Sequence, residues 1–133
     1  MHIFLAGASG AIGRRLVPLL VKAGHGVTGM TRSAAAAVEL ARAGAVPAVV
    51  DVYDAPVLTA AMTAARPDIV IHQLTDLPRE FDQAKIAASY AANSRIRTEG
   101  TRNLIAAAQA AGAVPARSSS LALSAERVVP VTA

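Results

Sequence analysis

The segment Ala6-Gly7-Ala8-Ser9-Gly10-Ala11-Ile12-Gly13 leaves this chain few choices of fold. It follows a short apolar run, Ile3-Phe4-Leu5, and precedes an amphipathic run from Ile12 to Ala23. The order is strand, glycine turn, helix, and that context says more than spaced glycines say alone. Gly7 lets the chain turn sharply off the strand end. Gly10 leaves out a Cβ where the main chain must come close to a bound group. Gly13 lets the helix pack tightly on the first strand. The helix start then aims unpaired N–H groups and the positive end of its dipole at the same place. Such a turn attracts an anion, and its shape is that of a cradle for the pyrophosphate of a dinucleotide. The plainer alternative is a glycine-rich loop that holds nothing.

The rest of the chain repeats the alternation that the turn begins. His2 to Ala6 reads as a strand buried on both faces. A helix is expected from Ala11 to Ala23, with Ile12, Leu16, Leu19, Leu20 and Ala23 as its apolar stripe. Pro18 removes one of its hydrogen bonds, so the helix should bend or its first turn should be irregular. Gly24 closes it. A strand follows from Val27 to Thr31, then a helix from Ala34 to Ala43 with Ser33 as N-cap and Gly44 as its stop. Next come a strand from Val46 to Val50 and a helix from Ala55 to Ala65 capped by Asp54. After the turn Arg66-Pro67-Asp68, a fourth strand is expected from Ile69 to His72. A polar loop runs from Gln73 to Glu80. A long helical stretch from about Phe81 to Ala111, with a break near Asn93-Ser94, ends at Gly112.

Strands and helices alternating through short connections imply an α/β fold: a doubly wound, Rossmann-like parallel sheet in strand order 3-2-1-4. Residues 1–112 would form the binding domain. Residues 113–133 carry two prolines and a serine triplet and read as an atypical tail. Leu121 to Leu123 or Val128-Val129 could supply a short fifth strand there. If the sheet stops at four strands, the fourth becomes an exposed edge, and a homo-oligomer could form through it.

A chain of 133 residues allows one domain with a real core. The arginines behind the net charge of +4 are scattered, and aromatics make up only 3% of the residues, so nucleic acid is not an expected partner. Without cysteine there is neither a disulfide framework nor thiolate chemistry. No apolar run reaches the ~18 residues of a membrane span. The chain enters its first strand at once, so the expectation is a cytoplasmic protein.

Four stretches resemble the extended short-chain dehydrogenase/reductase family, also called NAD-dependent epimerases/dehydratases. They are Gly7 to Gly13, Val50-Asp51-Val52, Asp68 to Leu74, and Asn93 followed by Gly100-Thr101-Arg102-Asn103-Leu104 and Ala110-Ala111-Gly112. The resemblance implies an NAD(P)-dependent oxidoreductase acting at a sugar or other small hydroxyl or carbonyl carbon. It also implies a serine and a Tyr-x-x-x-Lys pair beyond the fifth strand, in which the lysine lowers the tyrosine pKa for proton transfer. Here Tyr53 is followed by Val57 at that spacing and Tyr90 by Ser94, and the lysines are Lys22 and Lys85. The cofactor half is present and the proton-transfer half is missing. A truncation, or a change of reading frame after Gly112, would explain the loss of pattern. The alternative function is a non-catalytic dinucleotide-sensing or partner-binding module.

The residues expected to bind the cofactor are Gly7, Ser9, Gly10, Ala11, Ile12, Gly13, Thr31, Arg32, Asp51, Val52, His72, Gln73, Leu74 and Asn93. Thr31, Arg32 and Ser33 put a cation between two hydroxyls where an NAD binder carries an acid, which leans toward NADP over NAD. The alternative is an arginine on a helix surface. Asp51 reads as an adenine contact or as a turn residue. His72 reads as cofactor lining or as a satisfied core histidine. The resemblance implies that Asn93 holds the long helix bent by bonding its backbone; an exposed amide is the alternative. Asp76, Glu80 and Asp82 read as a solvated loop. No set of residues has the spacing of a metal site or of a Ser/His/Asp triad.

Overall fold

The computed structural model describes residues 1–76 and 82–116. Five strands and five α-helices alternate through them. They are β1 (His2–Ala6), α1 (Gly13–Lys22), β2 (Gly26–Thr31), α2 (Ala34–Arg42), β3 (Val46–Val49), α3 (Ala55–Ala65), β4 (Ile69–His72), α4 (Ile86–Arg95), α5 (Thr101–Ala110) and β5 (Val114–Ala116). All neighbouring strands pair in parallel, in the order β3-β2-β1-β4-β5. This is the Rossmann-like sheet the sequence implies. The fifth strand, however, starts two residues past Gly112, and Ile69 to Ile71 of β4 pair with it. The fourth strand is therefore not an edge, which corrects that expectation. The other fifth-strand candidates, Leu121 to Leu123 and Val128-Val129, lie outside the described residues.

Side chains alternate across β1 and build a core on each face of the sheet. Phe4 and Ala6 join Met30, Leu58, Met62, Val70 and Leu104 under α3 and α5. Leu5 joins Val17, Val27 and Leu40 under α1 and α2. Phe4, Leu5, Leu58 and Met62 are completely buried, each contributing about 1.5–3 kcal/mol through the water it leaves.

Of the expected apolar stripe of α1, Leu16 and Leu20 pack against this second core, under α1 and α2, but its other members do not. Val17 is buried, whereas Ile12 is 51% and Leu19 63% exposed. The glycine turn sets this rotation. A Cβ on Gly13 would stand 2.5 Å from the Ala8 carbonyl oxygen, so the Gly13 face of the helix is pressed against the turn and Val17, one turn on, follows it inward. Pro18 sits within α1, which opens with the Arg15 and Leu16 N–H groups sharing the Ile12 carbonyl.

The long helical stretch is interrupted, but not at Asn93-Ser94. A turn of 3-10 helix at Gln83–Lys85 leads into α4, and one wide π-helical turn at Ile96–Gly100 joins α4 to α5. Gly100 lies in that turn against the Val52 side chain, 3.4 Å from where a Cβ would be. No helix among the described residues is long and apolar enough to cross a membrane.

Candidate cofactor site

The strand order reverses between β1 and β4, and in open α/β sheets ligands settle in the crevice beyond the carboxyl ends of two such strands. Two chain segments leave the sheet there. Gly7 leaves β1 with φ +85°, and Gln73 leaves β4 with its N–H donated to the Ala6 carbonyl at 2.8 Å. The turn after Gly7 is closed by the Gly10 N–H on the Gly7 carbonyl, at 3.1 Å. The Arg14 N–H donates to the Gly10 carbonyl at 3.0 Å, which starts the helical pattern. Among the described residues the N–H groups of Ser9, Ala11, Ile12 and Gly13 have no acceptor. Gly10 itself is exposed, and the nearest atom to a Cβ there would be the Gly7 oxygen at 3.3 Å. Four open donors around an uncrowded glycine suit a pyrophosphate.

A second observation in the crevice points the same way. Gln73 Oε1 is buried and has no hydrogen-bond partner among the described residues. A buried acceptor costs free energy unless a donor reaches it, and a dinucleotide carries ribose hydroxyls and amides that could.

At the end of β2, Thr31 is buried, and its hydroxyl is already engaged. Thr31 Oγ1 lies 3.0 Å from Ser9 Oγ and accepts the Ser33 N–H at 3.2 Å. Ser33 Oγ in turn accepts the Ala36 N–H at 3.2 Å and caps α2. These two hydroxyls therefore tie the turn after β1 to the start of α2. Arg32 between them is exposed, with no ion pair among the described residues.

Asp51 realises its turn role: Oδ1 accepts the Tyr53 N–H at 2.9 Å, and Oδ2 faces no protein donor among the described residues. Val52 is buried, so its side chain belongs to the core. Its carbonyl accepts from Asn103 Nδ2 at 2.9 Å. His72 links strand to helix. Its Nδ1 accepts the Leu74 N–H at 3.1 Å, and Nε2 lies 3.0 Å from Thr101 Oγ1. An acceptor at Nδ1 puts the proton on Nε2. Burial also holds its pKa below the usual 6.5, so the ring is neutral at pH 7. The satisfied histidine is the reading this geometry supports, and the Leu74 N–H is used up with it. Asn93 does not bond its own helix. Its Oδ1 accepts the Asp76 N–H at 3.3 Å and holds the loop after β4 against α4. The break in the long helical stretch is the π-helical turn at Ile96–Gly100.

Sequence reasoning missed four residues. Arg14 Nε donates to the Ser9 carbonyl at 2.9 Å across the turn. Thr101 and Asn103 anchor β4 and the Asp51-Val52 turn to α5; both stand in the Gly-Thr-x-Asn string, which was the available signal. Arg95 lies 3.8 Å over the Tyr53 ring and donates to Glu99 Oε2 at 2.8 Å. Burial, its largest cause, raises the Tyr53 pKa, so that phenol stays protonated. No cluster of metal-ligating residues occurs among the described residues.

The sequence pattern of the NAD(P)H-binding family matches residues 7–117. A 3-diazoavenalumate denitrifying reductase from a Streptomyces species is 42% identical over 113 residues, covering 85% of this chain and 35% of that protein. This chain thus spans about a third of the relative's length. Among solved structures, a UDP-glucose-4-epimerase from Stenotrophomonas maltophila with bound NAD superposes with a TM-score of 0.72 at 24% identity. It covers 91% of this chain and 37% of the epimerase, and at that identity the likeness establishes the fold. An anaerobillin reductase from Escherichia coli O157:H7 superposes with a TM-score of 0.67 at 26% identity, covering 88% of this chain and 50% of the reductase.

Proposed function

This chain belongs to the NAD(P)H-binding family, and we propose that it holds NADPH in preference to NADH as the cofactor-binding part of a reductase. The observation that carries the reading is the Gly7–Gly13 turn, with its open N–H groups, at the crevice between β1 and β4. The N–H groups of Ser9, Ala11, Ile12 and Gly13 would hold the pyrophosphate, with Gly10 giving it room. Arg32 would meet the 2′-phosphate; its exposure and freedom from ion pairs among the described residues support that role. Asp51 Oδ2 would accept from the adenine amine, and Gln73 Oε1 from the nicotinamide end. Thr31, His72, Leu74, Val52 and Asn93 act one step back, by fixing the backbone that carries these groups.

When bound, the nicotinamide supplies a hydride to a substrate carbon or takes one from it. The residues of this chain bind and orient it. The sequence holds no Tyr-x-x-x-Lys pair, so binding without proton transfer of that kind is the activity proposed for this chain. The 42% identical relative is a reductase, which favours reduction over epimerisation for a whole protein built on this domain.

The test is a titration with NADPH and NADH followed by melting temperature. A nucleotide present at a hundred times its dissociation constant adds about 2.7 kcal/mol of stability. The reading requires a rise with NADPH larger than with NADH; no rise with either at millimolar concentration refutes it.

A further inference from the structure

A groove of about 550 Å³ runs along α2, from Ser33 to Ala43, beside the first turns of α1. Ser9, Arg14, Ser33, Ala36 and Glu39 are on its walls. Exposed Arg32 immediately precedes Ser33 in the chain. Arg14 is the cation inside the groove. Its Nε donates to the Ser9 carbonyl at 2.9 Å, which pins the guanidinium to the glycine turn and leaves both terminal amino groups to point elsewhere. Neither meets a carboxylate among the described residues: the ion pairs there are Arg42–Glu39, Lys85–Asp82 and Arg95–Glu99. Glu39 also faces the groove, but Arg42 Nη1 holds its carboxylate at 2.9 Å. Ser9 and Ser33, on opposite walls, are joined through the Thr31 hydroxyl, so the walls are fixed relative to each other.

A guanidinium held by one edge presents its free donors as a fork, and a fork matches the oxygens of a phosphate monoester. A bare ribose hydroxyl has no use for it. We propose that Arg14 is a specificity-determining residue: the α1/α2 groove takes the 2′-phosphate of a phosphorylated dinucleotide, with Arg14 and Arg32 on its two sides. This rests on the cofactor reading above and adds a residue to it, since Arg32 alone would leave the phosphate charged on one flank.

The experiment measures dissociation constants by calorimetry for the full chain and its Arg14→Gln and Arg14→Lys variants. The probes are NADPH, NADH, adenosine 2′,5′-bisphosphate and adenosine 5′-monophosphate. Arg14→Gln should weaken the two 2′-phosphorylated probes about tenfold and the other two less than about twofold, as expected for one charge-assisted contact. Arg14→Lys should recover part of the loss, because it keeps the charge and gives up the fork. If Arg14→Gln weakens all four probes by the same factor, Arg14 only shapes the turn and the proposal is overturned while the cofactor reading stands. If the unaltered chain binds NADH and not NADPH, this proposal and the NADPH preference both fall, and dinucleotide binding alone stands. If the unaltered chain binds none of the four, the cofactor reading itself falls and takes this inference with it.

Discussion

Gly7 and Gln73 meet backbone to backbone: a Cβ built on Gly7 would stand 2.6 Å from the Gln73 carbonyl oxygen and 2.9 Å from the Leu74 nitrogen. Neither atom belongs to a side chain that could swing away. Gly7 also has φ +85°, which costs an L-residue roughly 1–2 kcal/mol by itself. Gly7→Ala should therefore destabilise the fold by about 3 kcal/mol or more, measured by urea unfolding. A loss under about 1 kcal/mol would show that the β1 and β4 ends separate easily.

Gly10 offers the contrast. Its φ is not positive, and a Cβ there would have only the Gly7 oxygen to approach, at 3.3 Å. Gly10→Ala should leave unfolding within about 1 kcal/mol of the unaltered chain. It should still weaken nucleotide binding by about tenfold or more, because the methyl group fills the space kept for the pyrophosphate. An unchanged affinity would remove Gly10 from the cradle.

These two glycines also show what the sequence could and could not tell. Their spacing, set between an apolar run and a helix, specifies strand, turn and helix, because local chain geometry alone demands it. The strand order follows from parallel connectivity. The facing of α1 follows its stripe only at Leu16 and Leu20, because the contact of Gly13 with Ala8 brings Val17 inward and leaves Ile12 and Leu19 exposed. Likewise Thr31, His72 and Asn93 sit where the site was expected, yet their polar atoms are used by Ser9, Thr101 and Asp76. Those partners lie 17 to 29 residues away in the chain. Pairings over such separations depend on packing, and no local pattern reports them.

His72 makes stability depend on pH. Burial lowers its folded pKa below 6.5, so in the unfolded chain it takes up a proton first. Its contribution is present above the unfolded value and is lost as pH falls below about 6.5 toward the folded value. Urea unfolding from about pH 8 to about pH 5 should show this decline in the unaltered chain. The His72→Gln variant, which keeps a donor and an acceptor but does not titrate, should show a smaller one. Parallel curves would place the titration on another group.

Asn103 donates from Nδ2 to the carbonyl of buried Val52 at 2.9 Å and so carries the Asp51-Val52 turn on α5. Asn103→Ala should cost about 1–2 kcal/mol, the usual loss when a buried carbonyl is left unmet. Asn103→Asp should do no better, since the Val52 oxygen needs a donor and a carboxylate supplies none. If Asn103→Asp were as stable as the unaltered chain, the amide bond would contribute nothing and the turn would hold itself.

Gln73 separates what the fold needs from what the ligand needs. Among the described residues its buried Oε1 has no partner, and a carbonyl left so bears a desolvation cost of about 1–3 kcal/mol in the free protein. Gln73→Leu removes that atom at similar volume. Without nucleotide the variant should be as stable as the unaltered chain or more so, by up to about 1 kcal/mol. With saturating NADPH it should gain less, because the donor that would meet Oε1 has lost its acceptor. The two melting curves should therefore cross: the variant ahead when free, the unaltered chain ahead when bound. A variant that loses stability in the free state would mean that Oε1 finds a partner within the protein, and the glutamine would then belong to the fold instead of to the site.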